Sequence, residues 1–271
     1  MPGDGDAKDE GEAEREMESV AAGHQRSLFE CIRPLVRYVD KERAVIETRV
    51  RTRRPFVCEQ RLEVCVDAVL TITDRHGFED EIITKVQTHS GRAFARFELV
   101  WPKRWWPASM GEQALYTLRI RLEVEGVVLE EQQAEIGLTS VRADHSNNHQ
   151  PLLVNSQPFA FRSIVHVDHV DQSGLLPAGA DALLVVRDHY GPDVFFDATD
   201  RAGILTLQCV PLDPDAAPGN RVLDEVERLA AHPSLMGYFV GHQGPMADGL
   251  VNTIRKADPT RPVYRQMPVA S

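Results

Sequence analysis

The run Asn220-Arg221-Val222-Leu223-Asp224-Glu225-Val226-Glu227-Arg228-Leu229-Ala230-Ala231-His232-Pro233-Ser234-Leu235-Met236-Gly237-Tyr238-Phe239-Val240-Gly241 changes its period half-way. In its first part Val222, Val226, Leu229 and Ala230 recur three and four residues apart, which is the spacing of a helix with one apolar face. That predicts a helix over residues 220–231. The second part, residues 235–241, is a strand-sized apolar run. A helix followed at once by a buried strand is the repeating unit of a parallel sheet with covering helices.

The same alternation extends in both directions from about Asn155. Residues 159–167, 182–187, 203–210 and 262–266 read as further strands, and residues 193–202 and 247–257 as further helices. Residues 169–180 hold two glycines and a proline and are read as a connection without a full covering helix.

Towards the N-terminus the texture differs. Ala44-Val45-Ile46-Glu47-Thr48-Arg49-Val50-Arg51 alternates apolar and polar residues, as a half-buried strand does. Similar runs cover residues 61–73, 81–87, 92–99, 115–125 and 127–136, separated by turn signals at Asp74-Arg75-His76-Gly77, Ser90-Gly91 and Glu125-Gly126. Short strands at this spacing predict an immunoglobulin-like β-sandwich over residues 30–142. The Cys-Trp-Cys core of antibody domains is absent from it. The fold expected is therefore multi-domain, β plus α/β.

Composition narrows the function classes. The chain is 42% hydrophobic and 26% charged with a formal net charge of −11, as in ordinary soluble globular proteins. Eight carboxylates in the first 18 residues face only Lys8 and Arg15, so residues 1–25 are read as an acidic, disordered tail. That tail has no apolar core, so it is not read as a signal peptide, and a cytoplasmic protein is expected. No apolar run approaches a membrane span. An acidic chain without a basic stripe argues against nucleic acid as a partner. The four cysteines, Cys31, Cys58, Cys65 and Cys209, form no C-x-x-C pair, so neither a zinc site nor a disulfide is expected.

Five segments carry a family resemblance. Trp105-Trp106-Pro107-Ala108-Ser109-Met110-Gly111-Glu112-Gln113-Ala114-Leu115-Tyr116-Thr117-Leu118 resembles a W-W-P-x-x-x-G-E-x-x-L-Y-T-L signature. Residues 151–164 are similar to an N-G-K-P-x-x-x-R-G-V segment, with Ser156 and Ser163 where glycines stand. Val186-Arg187-Asp188-His189-Tyr190 is similar to V-R-x-x-H-Y, one residue shorter. Residues 195–205 resemble F-Y-D-x-x-D-x-x-G-I. Residues 232–243 match H-P-S-I-I-x-W-S-L-G-N-E without a gap and lead on to Asp258-Pro259-Thr260-Arg261-Pro262-Val263, similar to D-P-T-R-P-V. These are signatures of the family 2 glycoside hydrolases, which include β-galactosidase-, β-mannosidase- and β-glucuronidase-like members. The resemblance implies an immunoglobulin-like domain followed by the N-terminal part of a (β/α)8 barrel, here a truncated, barrel-like unit of about five parallel strands over residues 150–271.

The resemblance also assigns roles. The motif's glutamate, the general acid/base, is replaced by Gln243, and its asparagine, which binds the sugar, by His242. Arg187 and His189 inherit support of the carboxylates and contact with the sugar. A glutamine has no proton to transfer near neutral pH. The family's nucleophile lies on the seventh strand and has no counterpart among these residues, so impaired catalysis is expected. The alternatives are a non-catalytic carbohydrate- or protein-binding scaffold, or one half of a split glycosidase. No cofactor is implied and no metal site is assigned. His166, Asp168 and His169 are the nearest candidates for ligands, in a dense His/Asp cluster that also includes Asp171. A carbohydrate ligand is the expected small partner. A five-stranded open sheet also implies a homo-oligomer, or a partner chain that completes the barrel.

Overall fold

The computed structural model describes residues 27–53, 67–87, 90–143, 152–167, 179, 181–211, 219–241 and 244–270. The acidic segment 1–25, Cys58, Cys65 and most of the 169–180 connection lie outside these residues.

Two antiparallel sheets form the N-terminal half. One contains β1 (Phe29–Val39), β2 (Arg43–Thr52) and β5 (Arg92–Val100) in the order β1-β2-β5. The other contains β3 (Asp67–Asp74), β4 (Glu79–Lys85), β6 (Leu115–Val124) and β7 (Val127–Gly137) in the order β4-β3-β6-β7. Strand β5 alternates strictly between exposed and buried residues, so Ala93, Ala95, Phe97 and Leu99 all enter the core. There they meet Ile46 of β2, Leu70 and Ile72 of β3 and Leu118, Ile120 and Leu122 of β6. Burying such side chains is worth about 1.5–3 kcal/mol each, and the shared core makes the two sheets a sandwich.

Strand β1 is an element that periodicity misses. Its sequence has a proline at Pro34 and no clean alternation, because it shifts register at Phe29/Cys31 and again at Val36/Tyr38. It is an edge strand, where proline and bulges are tolerated.

A small antiparallel sheet follows, made of β8 (Val141–Ala143), β9 (Leu152–Val154) and β10 (Gln157–Phe159). The strand expected over residues 159–167 is in fact two. The chain leaves β10 at Phe159, and β11 begins at Ser163. Asn155 and Ser156, with φ of 50° and 69°, make the two-residue β9–β10 turn. Both are in the left-handed region that such hairpins require. Asn155 is held there because it donates to the Trp105 carbonyl (2.8 Å) and accepts from the Ser140 N–H (3.1 Å).

The C-terminal half is a five-stranded parallel sheet in sequential order: β11 (Ser163–Val167), β12 (Ala182–Val186), β13 (Thr206–Cys209), β14 (Leu235–Phe239) and β15 (Val263–Tyr264). Helices α1 (Asp193–Ala202), α2 (Gly219–Leu229) and α3 (Pro245–Ala257) connect the last four strands. All five residues of β12 are buried, as expected where both faces of a strand are covered. One face, including Leu184, Val186 and Tyr238, packs against Phe195 and Phe196 of α1, Val222 and Val226 of α2 and Ile254 of α3. The other, including Leu183, Val185, Leu207 and Met236, is covered by Leu152, Val154 and Phe159 of the small sheet and by Trp105. The chain's own segments thus cover that second face in part. The architecture is β plus α/β. Among the described residues no helix is long and apolar enough to cross a membrane.

Candidate functional site

The C-terminal ends of β11 to β14 surround a cavity of about 540 Å3. His166 comes from β11, Arg187 and Asp188 follow β12, Cys209 ends β13 and Phe239 ends β14. Met267, beyond β15, contributes an apolar wall. Carboxyl ends of parallel strands are where α/β sheets place their ligands. Of the sequence-derived candidates, Arg187 and His166 therefore meet at one cavity, and Gly241 of its lining immediately precedes His242 and Gln243. His242 and Gln243 themselves, with Asp168, His169 and Asp171, lie outside the described residues. Cys209, Phe239 and Met267 carried no sequence signal for this site. Burial pushes the Cys209 thiol up to about 11, with Arg187 opposing and Asp188 adding to the rise, so it is a neutral wall group and not a nucleophile.

His189 does not line the cavity. Its backbone N–H and its ring Nδ1 both lie 2.7 Å from the Arg187 carbonyl, folding the imidazole back on its own loop. The hydrogen bond from residue 189 to 187 closes a γ-turn on Asp188, whose φ is 60°, a strained arrangement for a residue with a Cβ. This is the backbone path of the segment 187–190, which is one residue shorter than the pattern it resembles. Gln208, buried in β13, clamps the loop by donating to the His189 carbonyl (2.8 Å) and accepting from the Gly191 N–H (3.1 Å). Strain of this kind is worth about 1–3 kcal/mol. Asp188→Gly is therefore expected to stabilise the protein by about 1 kcal/mol, read as a higher urea midpoint with an unchanged slope.

The other motif residues gather at the opposite end of the sheet and in its contact with the sandwich. Trp105 is fully buried and its indole N–H donates to the Asp200 carbonyl (2.8 Å). The Asp200 carboxylate accepts from the Ser234 N–H (2.9 Å) and from His232 Nδ1 (2.7 Å), while Phe196 stacks on the His232 ring. Gly203, with φ of 70°, ends α1 and accepts from the Ala108 N–H (3.0 Å), and a Cβ there would meet that nitrogen at 2.6 Å. Buried Arg261 donates to the Leu235, Ala230 and His232 carbonyls and pairs with Asp258 at 3.3 Å. Ion pairs Arg49–Glu227 and Arg201–Glu135 also cross from the sandwich to the helices.

Asp197, Asp200 and His232 bring donor atoms within 4.8 Å of one another, a spacing a metal could use. The geometry is already satisfied as an ion pair. Burial pulls the His232 imidazole down, but the carboxylates of Asp200, Asp193 and Asp197 outweigh it and raise its pKa to about 9. A protonated ring has no lone pair to give a metal.

Comparison with known proteins gives a consistent result. The family model described as glycosyl hydrolases family 2 matches residues 40–138. An exo-β-D-glucosaminidase from Amycolatopsis orientalis is 27% identical over 205 residues, 63% of this chain and 20% of that protein. A β-galactosidase from Pectobacterium atrosepticum is 25% identical over 222 residues, 70% of this chain and 21% of that one. The chain thus spans about a fifth of the length of these relatives. Among solved structures, a Parabacteroides merdae β-glucuronidase superposes with a TM-score of 0.65 at 12% identity, covering 87% of this chain and 34% of its own. The Amycolatopsis orientalis exo-chitosanase gives 0.61 at 21%, covering 89% and 32%. Identities this low speak for the fold alone.

Proposed function

From the premise that this chain is a relative of the family 2 glycoside hydrolases, we propose that it holds a carbohydrate at the strand-end cavity without hydrolysing it. In this reading the sandwich is immunoglobulin-like and the parallel sheet corresponds to the first five strands of a (β/α)8 barrel. Arg187 lines the cavity, and by resemblance His242 holds the sugar-binding position and Gln243 the acid/base position.

The observation that carries the reading is the cavity's chemistry. Retaining hydrolysis needs two carboxyl groups about 5–5.5 Å apart, one to protonate the leaving oxygen and one to attack the anomeric carbon. Among the described residues that line the cavity, Asp188 is the only carboxylate, and it sits on the γ-turn. The rest of the wall is a histidine, an arginine, a neutral thiol and apolar groups. Gln243 can donate and accept hydrogen bonds to a sugar but cannot serve as its acid. Losing general acid/base help alone costs about 10²–10⁴ in rate, and the single carboxylate among the described lining residues does not make up the pair that the covalent route needs. Among the described residues, a wall of guanidinium, imidazole, one carboxylate, a thiol and apolar surface remains suited to binding.

The test is release of 4-nitrophenol from β-D-glucosaminide, β-D-galactoside, β-D-mannoside and β-D-glucuronide by the full chain. Release at the buffer rate is expected, and Gln243→Glu should not raise it. Turnover near the ~10 s⁻¹ of an ordinary enzyme would refute the proposal. Calorimetry with the corresponding free sugars should show binding that Arg187→Ala weakens.

A further inference from the structure

A second groove, of about 530 Å3, runs along β15 and shares no lining residue with the strand-end cavity. Arg142 of β8, Arg255 of α3, and Arg261, Tyr264 and Arg265 in and beside β15 all contribute to its walls. Among the described residues no carboxylate lines it, although the chain carries a net charge of −11.

Two of the four guanidiniums are already matched, Arg261 by Asp258 and Arg265 by Asp248. Arg142 and Arg255 are exposed and have no ion-pair partner among the described residues. A second observation is independent of charge. The Tyr264 side chain is 8% exposed, and its hydroxyl finds no hydrogen-bond partner among the described residues. Buried hydroxyls nearly always have one, and Tyr264 is a lining residue of the groove, so its lone hydroxyl marks where an acceptor is missing. The volume lies in the range of small-molecule sites. Paired guanidiniums suit planar or tetrahedral oxyanions. Two unmatched cations per chain also disfavour apposing two copies through this groove.

We propose that this groove binds a small organic oxyanion, a carboxylate or phosphate ester, whose charge is held by Arg142 and Arg255 and one of whose oxygens accepts from Tyr264. Burial raises the Tyr264 pKa, so the phenol remains a neutral donor at ordinary pH. The site stands apart from the strand-end cavity and does not depend on the reading given to it.

Titration calorimetry of the full chain with D-glucuronate, D-glucose 6-phosphate and inorganic phosphate tests this, with uncharged D-glucose as the control. Saturable binding of the anions is expected, with Arg142→Gln/Arg255→Gln weakening it about tenfold or more and Tyr264→Phe about threefold or more. Inorganic phosphate binding as tightly as the sugar phosphate would assign recognition to the bare oxyanion. Tighter binding of the organic probes would assign it to the whole molecule. Both arginines are exposed, so the double variant should melt with the unaltered protein, which separates lost binding from lost fold. No saturable binding of any anion, or unchanged affinity in either variant, would overturn the proposal. So would loss of D-glucose 6-phosphate and inorganic phosphate binding in Arg187→Gln, which would move those anions to the strand-end cavity.

Discussion

Replacing Arg261 by methionine is expected to destabilise the protein by about 3–5 kcal/mol, read as a large drop in the urea midpoint. The side chain is buried, and its guanidinium satisfies the carbonyls of Ala230, His232 and Leu235 around the end of α2 and the start of β14. Methionine fills much of the volume but leaves those acceptors unmet and Asp258 buried without its counter-charge. Asp258 retains hydrogen bonds from the Thr260 hydroxyl (2.8 Å) and from Tyr238 (3.1 Å), which are neutral and do not replace the ion pair. Adding Asp258→Asn to Arg261→Met should recover part of the loss, because no unpaired ion then remains. Full stability in the single variant would show that the buried pair contributes nothing net.

The second large effect expected is an alkaline one. The His232 pKa is raised from about 6.5 to about 9 by the surrounding carboxylates against the pull of burial. A group that binds its proton more tightly when folded stabilises the fold fully below the unfolded pKa, and that contribution is lost as pH rises through the folded one. Between pH 6.5 and 9 stability should therefore decline by about 3 kcal/mol, because each tenfold gain in proton affinity on folding is worth about 1.4 kcal/mol. His232→Gln should be less stable at pH 6 and should flatten this slope. Denaturant melts at several pH values check both, and a wild-type midpoint constant from pH 6.5 to 9 would contradict the assignment.

Much of the architecture was legible in the sequence for simple reasons. The helix over residues 219–229 was legible because its one covered face gives a 3.6-residue period, and α1 falls on the polar segment read as a helix between apolar runs, 193–202. Strand β5 was legible because one of its faces meets solvent. Strand β1 was not, since its bulges and Pro34 break the alternation from which strands are read. The break at residues 160–162 was hidden because it carries no glycine or Asn/Asp turn signal, and the different pairing partners of β10 and β11 reveal it. At the site, motif spacing brought out Arg187. It could not show that His189 folds back on the Arg187 carbonyl, which depends on the backbone path at Asp188. Cys209, Phe239 and Met267 look in sequence like any other core residues. Their place at the cavity follows from strand ends converging in space, which a linear pattern does not contain.

Trp105 lies in the β-sandwich half of the sequence, yet its indole is packed into the core of the parallel sheet. Ala231 lies in the α/β half, yet it is buried with the sandwich residues. Each half thus completes the other's interior. The change of texture near residue 150 marks two architectures but not two independent bodies. A cut there would strip a tryptophan from one interior and open a gap in the other. The sequence features that identify the family are therefore chiefly the mortise and tenon of this joint. They can persist under selection for folding alone, whatever chemistry the strand ends perform.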